Sequence, residues 1–62
     1  MKYFRVWMLD NSFSLVKAET EDEARKIAIE QAEDAAQERK MSASERERAT
    51  TVWRVKCVDP VG

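Results

Sequence analysis

The stretch KYFRVWMLDNSFSLVKA, residues 2–18, decides the fold. Its two arms alternate in polarity and are rich in aromatic and β-branched residues, the pattern of half-buried strands. Between them Asp10-Asn11 reads as a tight turn, because both residue types tolerate positive φ. Strands over 2–9 and 12–18 follow. A two-residue loop sets Met8 opposite Phe13, Val6 opposite Leu15 and Phe4 opposite Lys17. This register predicts one apolar face made of Phe4, Val6, Met8, Phe13 and Leu15.

Downstream of the hairpin, Thr20-Glu21-Asp22-Glu23 has the form of a capping box, in which Thr20 accepts from the Glu23 backbone N–H and Glu23 reaches back. Acids in a first turn also suit the positive end of a helix dipole. Ala24, Ile27, Ala28, Gln31, Ala32 and Ala35 then recur at helical spacing. The pattern predicts a helix over 21–40 whose alanine-rich stripe sits close to a sheet, with Arg39 and Lys40 at its C-terminal end. Residues 42–49 fit a short second helix, capped by Ser42 or Ser44, a continuation of the first helix, or a loop. A third strand over 51–58 is ended by Asp59-Pro60. On it Trp53, Val55 and Cys57 are expected to face the core, with Val52, Arg54 and Lys56 on the other side. The predicted fold class is α+β: one domain, residues 1–62, of β-β-α-β order. Its three-stranded antiparallel sheet has order 2-1-3, and one long helix covers one face.

A 62-residue chain supports one small core. Its single cysteine, Cys57, cannot close an intrachain disulfide, which fits a reducing compartment, and we expect it to be a small buried hydrophobe. No apolar run reaches the length of a membrane span, and Met1-Lys2-Tyr3 leads directly into strand pattern, so a cytoplasmic protein is expected. The chain has no histidine, the commonest general base and metal ligand. One cysteine cannot make a zinc site, and with Gly62 as the lone glycine there is no glycine-rich phosphate cradle. No enzyme, metal or cofactor is expected.

Charge is distributed unevenly. Eight of the 12 acidic residues lie between Glu19 and Glu38 beside only two basic ones, so that stretch carries −6, the remainder +5 and the whole chain −1. At 100° per residue, Asp22, Glu23, Glu30, Glu33, Asp34 and Glu38 fall on the side of the helix away from the alanine stripe. Carboxylates in such a row can resemble a phosphate backbone in a basic groove; a merely solvated helix face is the plainer alternative. A second candidate surface is the sheet face turned from the helix, where alternation places Tyr3, Arg5, Trp7, Val16, Val52, Arg54 and Lys56. Exposed Trp and Tyr beside Arg are enriched at protein interfaces, and on a sheet they can also stack nucleobases. The plainer alternative is a solvated cation–π cluster around Trp7.

Ser12-Phe13 and Ala18-Glu19-Thr20-Glu21-Asp22-Glu23-Ala24 resemble the strand-to-helix junction of the small host RNA polymerase inhibitors of T7-like phages. Residues 54–60, Arg54-Val55-Lys56-Cys57-Val58-Asp59-Pro60, are similar to that family's last strand. The resemblance implies a non-enzymatic inhibitor that docks on the polymerase through last-strand cations, here Arg54 and Lys56, and an acidic strip. The helix and residues 41–50 are longer here than in that family. The chain also has the character of an anti-CRISPR protein: tiny, acidic-faced and without a catalytic site. The expected function is therefore a phage-type inhibitor of a nucleic-acid-handling host protein or ribonucleoprotein complex, RNA polymerase or a CRISPR effector, which blocks its nucleic-acid site. A homodimeric adaptor pairing through the sheet is an alternative. Direct nucleic-acid binding is the least favoured, since a net charge of −1 lacks the usual basic excess.

Overall fold

A computed structural model describes residues 1–58. The elements run β1 (Lys2–Met8), β2 (Phe13–Ala18), α1 (Glu21–Glu38), α2 (Ala43–Thr50) and β3 (Val52–Cys57). The sheet has order β2-β1-β3 with antiparallel neighbours, and the fold is α+β as the pattern predicts. The expected stop at Asp59-Pro60 lies outside the described residues.

The hairpin departs from the expected register. The Asn11 N–H donates to the Met8 carbonyl at 3.1 Å, the Met8 N–H donates to the Ser12 carbonyl at 2.8 Å, and Asn11 lies at φ 70°. This is a three-residue loop, Leu9-Asp10-Asn11, closed by a residue in the left-handed region. Trp7 therefore pairs with Phe13, Arg5 with Leu15 and Phe4 with Val16. The pairing has moved by one residue, and a one-residue slip turns every side chain of a strand to the opposite face. Val16 and Ala18 are buried, whereas Phe13 and Leu15 remain 58% and 57% exposed on the outer face.

The core consists of Phe4, Val6, Met8, Val16 and Ala18 from the hairpin and Ala24 and Ala28 from α1. Val6 and Met8 are 0% and 1% exposed, and burial of such a side chain stabilises by about 1.5–3 kcal/mol. Two fully buried alanines on α1 let the helix backbone approach the sheet closely, and Ile27 and Ala32 complete the contact. The predicted stripe rotates at its C-terminal end: Gln31 and Ala35 are exposed and Ala36 is buried. The cause is α2, which packs on α1 and buries Ala49. The stripe must then serve two neighbours rather than the sheet alone.

Helix boundaries follow from capping. The Thr20 hydroxyl accepts from the Glu23 N–H at 3.2 Å. At the other end α1 stops two residues earlier than expected, with Arg39 as the cap and Lys40 at φ 54°. The Lys40 N–H donates to the Gln37 carbonyl and the Met41 N–H to the Ala36 carbonyl, each at 3.2 Å. This is the Schellman pattern, with lysine where glycine is usual. It reverses the chain, and Ser42, accepting from the Glu45 N–H at 3.4 Å, then starts α2. The segment left open in the sequence is a helix.

β3 carries the second register change. Val55 opposes Val6 and Arg54 opposes Trp7, but Met8 opposes Val52, so Trp53 is the extra residue of a bulge. Without the bulge Trp53 would face the core as predicted. Instead Val52 packs there, and Trp53 is 54% exposed with its indole N–H donating to the Met8 carbonyl at 2.8 Å. Cys57 is also exposed, contrary to the expected buried hydrophobe. It lies at the last position of an edge strand, opposite Phe4, where one neighbour instead of two covers it.

Candidate functional site

The outer face of the sheet is a grid of three rows. Across the strands the rows are Phe13–Trp7–Arg54, then Leu15–Arg5–Lys56, then Lys17–Tyr3. Alternation along each strand puts these residues on one side, since the intervening Phe4, Val6 and Val16 are buried beneath. Tyr3 and Trp7 are half-buried; Arg5, Phe13, Leu15, Lys17, Arg54 and Lys56 are exposed.

Cations lie over the rings. The Arg54 guanidinium sits 4.9 Å from the Trp7 centroid, and that of Arg5 lies 5.0 Å from Phe13 and 5.7 Å from Trp7. The Lys17 ammonium lies 5.8 Å from Tyr3. At such exposed sites each contact is worth about 0.5–1 kcal/mol, enough to order the side chains but not to hold them against a competing ligand. The three strands contain no aspartate or glutamate. The face therefore carries the positive charge of Arg5, Lys17, Arg54 and Lys56 with no internal neutralisation.

Of the residues assigned to this face from sequence, Tyr3, Arg5, Trp7, Arg54 and Lys56 are brought together there, while Val16 and Val52 are turned inward. Sequence reasoning missed Phe13, Leu15 and Lys17. A signal was present: the two-residue loop placed Lys17 opposite Phe4 on the core side, where an unpaired lysine is disfavoured.

Asp22, Glu23, Glu30, Glu33, Asp34 and Glu38 are all exposed on α1, on the layer opposite this grid. α2 modifies the strip, since the Arg46 guanidinium approaches the Glu33 carboxylate at 4.0 Å. A second pair, Arg25–Glu21 at 3.8 Å, lies one helical turn apart. Both pairs are about half exposed and contribute little, about 0–1 kcal/mol each. The strip thus remains acidic. At the hairpin tip a hollow of about 330 Å³ is lined by Asp10, Met41, Glu45 and Arg48. Hydrogen bonds from Ser12 hold the Asp10 carboxyl below the usual carboxylate range, with a smaller contribution from Arg48.

Among the described residues there is no group of three or more His, Cys, Asp or Glu able to hold a metal ion. No helix among them is long and apolar enough to cross a membrane. The chain matches no known protein family, no curated protein and no solved structure.

Proposed function

We propose that this chain is a small non-enzymatic binding protein of the inhibitor type, which docks through its outer sheet face on a nucleic-acid-handling complex and obstructs that complex's nucleic-acid site. The observation that carries this reading is the separation of charge by layer. A carboxylate-free sheet face presents Arg5, Lys17, Arg54 and Lys56 among exposed and half-buried rings, while the acids of α1 project from the opposite layer. Exposed Phe13 and Leu15 beside Trp7 form an apolar patch of the kind that marks an interaction surface, and surrounding cations give it a preference for acidic partners. With that face engaged, the acidic strip points outward, where it can repel or imitate a phosphate backbone.

The test is capture from a bacterial lysate with the wild type and with Arg54→Glu/Lys56→Glu, followed by an activity assay on what is retained. The expected result is a nucleic-acid-processing complex held by the wild type, lost by the double variant, and slowed when purified protein is added. Identical retention by both proteins, or a retained complex whose activity does not change, overturns the proposal.

A further inference from the structure

We infer that the outer sheet face binds single-stranded nucleic acid directly, with bases stacking on Trp7, Phe13 and Tyr3 and phosphates meeting Arg5, Arg54 and Lys56. This rests on the reading of that face as the contact surface, and it names the partner chemistry. Three arguments carry it.

The first is chemical. Stacking platforms for single strands combine aromatic rings with a positively charged track and tolerate any base, because every base has a π-face. The register of the hairpin places Phe13 beside Trp7 and Lys17 beside Tyr3, so the face holds three rings and four cations where the expected register offered two and three. The second is geometric. Trp7 and Tyr3 are four residues apart on β1, which is about 13 Å along a strand. Rings so separated on an open sheet suit splayed, unstacked bases, whereas the paired bases of a duplex offer no faces to them. The third is electrostatic. The guanidinium groups now over Trp7 and Phe13 are held only by weak, solvated contacts. A stacking base can displace them onto its own phosphates, so both interactions are exchanged rather than lost. A second copy of the chain is a poorer occupant, since face-to-face packing would juxtapose two carboxylate-free cationic sheets.

The experiment uses the purified full chain with fluorescently labelled homopyrimidine oligonucleotides, DNA and RNA, and a duplex of equal length. Saturable binding of single strands is expected. It should weaken about 20-fold over a four-fold rise in salt if three phosphates are met. Trp7→Ala should weaken it by about ten-fold or more, and Trp7→Phe, which keeps a ring, by much less. Should Trp7→Ala fail to fold by circular dichroism, the exposed pair Arg54→Gln/Lys56→Gln carries the test, and the salt slope should fall by about 1.4. Absence of saturable binding at low salt overturns the inference, as does equal binding of the duplex. So does a sedimentation profile showing a dimer that Trp7→Ala or the Arg54→Gln/Lys56→Gln pair dissolves. If oligonucleotides fail to bind while the lysate complex is still retained, a protein occupies the face and only this inference falls.

Discussion

Lys40 shows how a single residue can set a helix end against its own preference. At φ 54° it occupies the left-handed region, which costs a non-glycine residue roughly 1–2 kcal/mol. The Schellman bonds and the reversal into α2 hold it there. Lys40→Gly relieves that strain but loosens the unfolded chain, and a net gain of about 0.5–1 kcal/mol is expected. The check is the urea midpoint at constant slope; a lowered midpoint contradicts the account. Asp10 supplies a pH dependence. Its folded pKa is lowered, chiefly by the Ser12 hydroxyl, so the stability it contributes is present above the unfolded value of about 3.9 and is lost as pH falls through the folded one. Denaturation of wild type and Asp10→Asn should therefore differ at neutral pH and converge in acid. A difference that does not change with pH would remove the carboxylate from the explanation.

Among the elements, β2 carries the largest difference between expectation and structure. Both of its alternations, Phe13-Leu15-Lys17 and Ser14-Val16-Ala18, contain apolar residues, so periodicity could not choose between them. The choice was made by one loop residue, Leu9, which the turn absorbs. A stability comparison reads the register directly. Val16→Ser should cost about 2–3 kcal/mol, because a buried side chain is replaced by a smaller polar one. Leu15→Ser on the exposed side should stay within about 0.5 kcal/mol. Equal costs would restore the two-residue loop. For α1, Ala28 is 0% exposed and belongs to the core cluster shared with the sheet. Ala28→Leu should overpack the interface and cost about 1–3 kcal/mol.

At the scale of the whole molecule, the two charged faces lie on opposite layers of a domain whose shorter extents are 17 Å. The Debye length is about 8 Å at physiological ionic strength and about 30 Å at 0.01 M. The faces should thus act independently at physiological ionic strength and couple only in dilute buffer. Neutralising the helix strip with Glu30→Gln, Glu33→Gln and Asp34→Asn is expected to leave binding of an anion by the sheet within two-fold at physiological salt, and to strengthen it at low salt. A large effect at high salt would mean that the strip itself touches the ligand.

Whereas residues 42–49 fit a helix, a continuation of α1 or a loop, the three strands, the long helix, strand sequence 2-1-3, the helix start at Thr20 and the acidic strip were legible from the chain alone. Capping, periodicity and charge are read directly from the sequence. Tyr3, Arg5, Trp7, Arg54 and Lys56 were legible as one face for the same reason. Two matters were decided only in three dimensions: which side of β2 faces inward, and where Trp53 goes. Each turns on a single inserted residue, Leu9 in the loop and Trp53 in the bulge, and alternation along a strand does not show where an extra residue is absorbed. Leu9 in the loop brings Phe13, Leu15 and Lys17 to the outer face, and the bulge at Trp53 turns Val52 inward, so together they set the composition of the surface on which the proposed function rests.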